Sequence, residues 1–501
     1  MQPFRADERA AGVILHPTSL PGPFGIGDLG PTAHRWIDLL AESGTGLWQV
    51  LPLGPTGFAD SPYACFSSFA GNANLVSPEW LHDRGLITEV ENPGFPEGPV
   101  PFGDVIPWKR RLLGRAHEAF VSGRGDPDLT PAYERFRAEN AAWLDDFTLF
   151  MALKESHDGA AWTTWDRDLR RRSKATLRRA RAAEAGAVDI TAFAQFVFFA
   201  QWAEVRRHAA ERSVLIVGDV PMFVAGDSAD VWSRQELFAL QADGTPALLA
   251  GVPPDYFSET GQLWGNPLYR WERHAEEGYA WWAGRLRAAF GLTDIVRIDH
   301  FRAFADYWEV PAGAETAVTG RWRDGPGLEF FEAMRSQIGP LPIIAEDLGE
   351  LSPAVPKLLE ATGLPGMRVL QFAWYTDDTN PFLPHNYVHN TVAYTGTHDN
   401  DTTLGWWRTA PAKERRRAAK YMGIDPADPV EGFLRTLWQS VAMYAIVPLQ
   451  DLLRLGPQGR MNEPGTTSGN WTWRATGTQL ASGFEDELTM LNGRFSRGTA
   501  R

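Results

Sequence analysis

The chain is poor in the features that would place it outside a cell or in a membrane. Its 501 residues include one cysteine, Cys65, which excludes an internal disulfide and fits a reducing compartment. No stretch reaches the ~18 consecutive apolar residues that read as a membrane-spanning helix. The opening MQPFRADERA lacks the apolar core of a secretory signal. Basic residues are in deficit, 48 Lys and Arg against 62 Asp and Glu, for a formal charge of −14. A surface of that sign opposes binding along a phosphate backbone. The expectation is a soluble cytoplasmic protein with no nucleic-acid and no membrane partner. No internal repeat is visible.

Tryptophan is in excess, at 21 residues. Most individual tryptophans fill cores, but many large flat faces also suit sugar rings, whose axial C–H bonds pack on them. Short apolar runs recur along the chain at 12–17, 47–53, 214–221, 294–301, 342–349, 367–374, 391–399 and 444–451. Helical patterns lie between most of them, near 31–43, 192–212, 277–290, 327–338, 353–362 and 431–443. Pro31 stands at a plausible first helical position. Strands alternating with helices mean a parallel sheet, and eight of them suggest a closed (β/α)8 barrel. An open doubly wound sheet satisfies the same pattern.

The expected organisation is a single catalytic barrel over 1–501 with insertions. The segment from about 75 to 212 is helical in composition and too long for a connection. A smaller insertion, about 222–290, carries the Gly- and Pro-rich loop 251–267. Within the first insertion, RDLRRRSKATLRRAR (167–181) reads as a solvated helix face.

Several strand runs share an ending. Asp219 follows VLIVG, Glu346 and Asp347 follow PIIA, and His398, Asp399 and Asp401 follow TVAYTGT. IVRIDHFRAF (295–304) sets Arg297, Asp299, His300 and Arg302 among apolar residues. In a parallel barrel all carboxyl ends meet at one rim, where active sites sit. Asp219, Asp299, Glu346 and Asp399, delivered there by four strands, are a poor device for stability, because clustered carboxylates raise one another's pKa. Arg297 and Asp299 are two apart and share a strand face, so the guanidinium is expected to keep Asp299 ionised and able to act as a nucleophile. Glu346 follows an apolar run, where desolvation would hold its proton. That is the division of labour of a retaining glycosidase.

These segments also resemble a known family. GDVP (218–221), RIDHFR (297–302), AEDLG (345–349) and THDN (397–400) look like the four signature regions of the α-amylase clan, in order. Together with LPLGPTGFADSPYACFSSFAGNANL (51–75), GVPPDYFSETGQLWGNPLY (251–269) and MNEPGTTSGNWTWR (461–474), they resemble the 4-α-glucanotransferases of glycoside hydrolase family 77, the amylomaltases or disproportionating enzymes. The resemblance spans about residues 12–474 and is weakest in 80–210. It implies Asp299 as nucleophile, Glu346 as general acid/base and Asp399 as a third carboxylate binding the hydroxyls of the −1 sugar. It also implies Arg297 as the partner of the nucleophile, and Tyr63, Asp219, His300 and His398 around the same glucose. Trp264 and Asn470, with Asp255 and Phe257, fall on loops implied to line the groove. The implied partners are α-1,4-glucans as donor and acceptor, handled by a monomer without cofactor or metal.

Other readings of the same residues are weaker. Gly25, Gly27 and Gly30 have G-x-G-x-x-G spacing, but HPTSLPGP separates them from the preceding strand run. His398, Asp399 and Asp401 resemble a partial metal site, which the nearby Arg297 opposes. A non-catalytic glucan binder usually lacks the nucleophile or the acid. A hydrolase of the same clan shares every catalytic group and differs in whether water or a sugar resolves the intermediate.

Overall fold

A computed structural model describes residues 4, 9–254, 258–349 and 351–498. Eight parallel strands close into a barrel: β1 (Ala10–Ile14), β2 (Leu47–Gln49), β3 (Leu215–Val220), β6 (Ile295–Ile298), β9 (Ile343–Ala345), β10 (Gly366–Val369), β11 (Thr391–Tyr394) and β12 (Tyr444–Pro448). Each falls within or overlaps one of the eight apolar runs. β12 pairs with β1 to complete the ring, so the closed alternative holds over the open sheet.

These strands are apolar on both faces because both are buried. Ile14, Leu47, Val217, Ile295, Ile344, Met367, Val392 and Ile446 fill the interior. Their alternates, such as Trp48, Ile216, Val296 and Ile343, pack outward against helices. In β6 this alternation sends Ile295 inward and Val296 outward, so Arg297 faces the barrel axis one layer above Ile295.

Helices at Pro31–Glu42, Ala185–Glu211, Ala280–Leu292, Gly327–Ile338 and Ala354–Thr362 each return the chain to the next strand. The connection from β10 to β11 has only 3-10 turns, at Leu370–Ala373 and Pro384–Asn386. The 75–212 segment contains long helices at Phe102–Val121 and Leu129–Ser156, and its last helix, Ala185–Glu211, doubles as a barrel crossover. The basic run forms helices at Arg167–Arg170 and Lys174–Ala183, the second with no buried residue.

A four-stranded antiparallel sheet stands apart from the barrel: β4 (Leu248–Val252), β5 (Gln262–Pro267), β7 (Asp306–Pro311) and β8 (Arg321–Asp324), in the order β5-β4-β7-β8. It joins residues from either side of β6, so the loop carrying β5 and the segment after RIDHFR form one structure. Most tryptophans are core: Trp36, Trp48, Trp162, Trp202, Trp232, Trp282, Trp374 and Trp438 are fully buried. The three glycines of the G-x-G-x-x-G spacing serve local packing. A Cβ on Gly27 would lie 2.0 Å from the Pro17 carbonyl oxygen, and one on Gly30 would lie 2.6 Å from Ser77 Oγ. Among the described residues, no single helix is long and apolar enough to cross a membrane.

Arg497 fastens the barrel seam. Fully buried, it donates to the carbonyls of Trp438, Ser440, Ala442, Met443 and Ala10, tying the entries of β12 and β1. Arg497→Met removes all five donations, although Arg9 still reaches the Trp438 and Ser440 carbonyls and Ala10 N still reaches that of Met443. It should lower unfolding free energy by about 3 kcal/mol in a urea titration, with turnover at low temperature unchanged.

Candidate active site

Backbone hydrogen bonds carry the barrel pairing past the strand ends and set the carboxylates. Asp299 N donates to Val220 O at 3.0 Å, Glu346 N to Ile298 O at 3.1 Å, and Phe301 N to Glu346 O at 3.1 Å. Asp219 and Arg297 are register partners across β3 and β6. Arg297, 3% exposed, donates from Nη1 to Asp219 Oδ2 at 2.6 Å and from Nη2 to Asp299 Oδ1 at 2.8 Å. Tyr63 OH donates to the same Asp219 oxygen at 2.7 Å. One buried cation thus serves two carboxylates, and a phenol supports the deeper one.

Tyr63 comes from the loop after β2. Gln195 of the crossover helix brackets this loop, accepting from Gly71 N at 2.7 Å and donating to Gly71 O at 2.9 Å. Asp230 accepts from Ser68 N at 2.7 Å. The Tyr63 ring stacks on His398, 5.1 Å between centroids at 14°, and Trp471 packs against both.

Glu346 is gripped by main chain. His300 N donates to Oε2 at 2.7 Å and Leu348 N to Oε1 at 2.9 Å. His300 is in the left-handed region, φ 54° and ψ 45°, a conformation uncommon for a non-glycine residue that strain at functional sites often explains. Its ring meets Trp264 edge-on at 4.7 Å. Arg302 anchors the turn beyond it, donating to Asp306 Oδ1 from Nε at 3.1 Å, with its guanidinium over the Trp322 ring at 4.1 Å. The 3-10 turn Phe301–Phe304 therefore rests on the antiparallel sheet.

The electrostatics separate the acids. Burial, then the charge of Asp299, push Glu346 up to about 7 against the pull of Arg297 and the two backbone N–H groups. Asp399 is held well below the usual carboxylate range: His398 and the Asn462 amide, donating to Oδ1 at 2.6 Å, outweigh burial. His398 Nε2 lies 3.3 Å from Asp399 Oδ2, and that charge lifts the imidazole pKa despite burial. Asp299 feels more than Arg297. Burial is the largest effect and, with Asp219 and Asp399, raises its pKa; Arg297 limits the rise and does not reverse it. About 30% of its side chain still faces the open groove.

The site therefore gathers Tyr63, Asp219, Arg297, Asp299, His300, Glu346, His398 and Asp399, with Trp264 at the rim. Asn470 is placed differently. Its amide accepts from Glu463 N at 2.9 Å and donates to Thr466, so it staples the 461–473 loop from within. Asp255 and Phe257 lie outside the described residues. Asn462 and Trp471 are at the centre and were not singled out from the sequence. Asn462 was visible only as part of MNEPG, with no local sign that it would reach Asp399.

The chain is similar to known proteins along nearly its whole length. A sequence profile described as 4-alpha-glucanotransferase matches residues 15–479. Over 481 residues the chain is 48% identical to a 4-alpha-glucanotransferase of Thermus thermophilus, covering 94% of this chain and 96% of the relative. It is 45% identical to one of Synechocystis over 500 residues, 98% of both. An amylomaltase from Streptococcus agalactiae solved in complex with acarbose superposes with a TM-score of 0.94 at 38% identity, covering 98% of this chain and 100% of that one.

The Glu346 carboxyl should titrate with a midpoint of about 7 by 13C NMR. In Asp299→Asn that midpoint should fall, because the neighbouring negative charge is gone. An unchanged midpoint would mean that the two carboxyls do not sense each other.

Proposed function

The chain belongs to the 4-alpha-glucanotransferase family, and from that premise we propose the parts its residues play. The enzyme moves a segment of α-1,4-glucan from one chain to the 4-hydroxyl of another, through a covalent glucosyl-enzyme intermediate with retention of configuration. The observation that carries the residue assignment is the pairing of Arg297-bound Asp299 with a main-chain-held Glu346 whose pKa is raised to about 7.

Asp299 attacks C1 of the donor glucose. The C1–O4 bond breaks, a C1–Oδ ester forms, and Glu346 delivers its proton to the departing O4. Ester formation removes the Asp299 charge, which is the second cause of the raised Glu346 pKa. Glu346 therefore becomes a stronger acid once it has given up its proton, and is poised as the carboxylate that accepts one from the incoming hydroxyl. That acceptor 4-hydroxyl attacks C1, the ester bond breaks, and Asp299 recovers its charge. Asp399, kept anionic by His398 and Asn462, accepts hydrogen bonds from ring hydroxyls. His300, pushed down to about 3 by burial and then Arg302, is neutral and serves as a hydrogen-bonding group on the sugar side. Trp264, 38% exposed, offers an aromatic face at the groove rim.

The substrates proposed are α-1,4-glucans as both donor and acceptor, a reading supported by the acarbose-bound relative and the aromatic groove. The free Cys65 thiol suits a reducing compartment such as the cytoplasm.

Maltotriose alone should give a ladder from glucose to long maltodextrins with nearly constant reducing ends. A steady rise in reducing ends would assign the site to hydrolysis. Asp299→Asn should lower kcat by more than ~1000-fold, and a loss below ~10-fold would rule out nucleophilic attack by this residue. Glu346 must carry its proton in the free enzyme, and a raised pKa keeps it protonated below about 7. The kcat/KM profile should therefore fall on its alkaline side with a midpoint near 7, and this limb should vanish in Glu346→Gln.

A further inference from the structure

Beside His398 is a small cavity of about 20 Å³ lined by His16, His398, Asp401, Gln450, Met461 and Trp473, among others. His16 stands two residues past the end of β1 and is 4% exposed. Its Nδ1 is buried without a hydrogen-bond partner, and so is Nδ1 of His398. A buried nitrogen left unpaired is costly, and two on residues that line the same small cavity point to a common partner. The space exceeds the ~10–15 Å³ that a single water requires. No direct hydrogen bond joins the two rings, so a partner common to both would have to bridge them.

We propose that a buried water in this cavity joins Nδ1 of His16 to Nδ1 of His398, making His16 a positioning residue for the His398–Asp399 pair. The inference rests on the reading of Asp399 and His398 as sugar-binding groups. Burial, then His398, hold His16 down at about 3, so its ring is neutral at working pH and can offer a lone pair. His398 has the opposite bias. The groups facing it are Asp399 in its own segment, Asp219 of β3, Arg297 of β6, the stacked Tyr63 ring, Trp471 and, lining the same cavity, His16. In its protonated form His398 gives Nε2–H to Asp399 and Nδ1–H to the water, which in turn donates to His16. The ring is then fixed at both ends, and Asp399 with it.

Three variants separate this role from mere packing. His16→Phe keeps the ring volume and removes both nitrogens. His16→Asn puts an amide near the position of Nδ1, and His16→Gln puts one near Nε2. On maltotriose, the Phe variant should lose ~10- to 100-fold in kcat, the effect of unpairing one buried nitrogen, with KM moved far less. The Asn variant should recover to within a few-fold of the parent, and the Gln variant should not. Equal losses in Asn and Phe, or near-parental kcat in Phe, would overturn the proposal. A substrate-free readout is the His398 imidazole signal in NMR. Its pKa should fall by about one unit in His16→Phe, because the charged form loses an acceptor. An unchanged His398 titration would refute the bridge whatever the kinetics show. A retained shift beside undiminished turnover in His398→Ala would leave the bridge standing and fault the sugar-binding reading instead.

Discussion

The active site depends on one buried guanidinium. Arg297 faces the barrel axis, where a charge costs several kcal/mol unless it is paired. It is paired twice, to Asp219 beside it and to Asp299 above it. Asp219 in turn receives Tyr63, which stacks on His398, which contacts Asp399. Asp299 raises the pKa of Glu346. Removing Arg297 would leave two carboxylates buried against each other with nothing between them, and every later contact in the chain would lose its reference point.

Geometry and electrostatics divide the remaining work. Two backbone N–H groups orient Glu346 without fixing its protonation, so burial and a neighbouring charge can hold its pKa near the working range. Asp399 has the reverse arrangement, with a histidine and an amide that keep it an acceptor. The left-handed turn at His300 belongs to the same design. It aims an N–H at the acid, and Arg302, Asp306 and Trp322 hold the turn from the antiparallel sheet. A loop next to the chemistry is thus braced by an element outside the barrel.

Much of this was legible in the sequence because it is local. Each barrel strand is a short apolar run, and each of the clustered carboxylates ends or closely follows such a run. Arg297 and Asp299 share a face by simple alternation. What escaped depended on distant pairing. β7 and β8 were not seen because DYWEVP and RWRD carry too much charge to look like buried strands, and RWRD is in fact exposed along its whole length. The Asn462–Asp399 bond spans 63 residues, and the Tyr63–Asp219 bond spans 156. Asn470 and Asn462 sit in the same loop, and only the fold decides which one reaches the site. The net rise of the Asp299 pKa has burial as its largest cause, and the fold decides how deep that burial is.

The central claim is that Asp299 carries the transferred glucosyl group. A donor with a good leaving group and a fluorinated ring, which forms the ester quickly and releases it slowly, should trap that state. Mass spectrometry of the digested protein should then find one added fluoroglucosyl group on the peptide containing IVRIDHFRAF, fragmenting to Asp299. A label on another carboxylate, or full turnover of donor with no label on that peptide, would contradict the account.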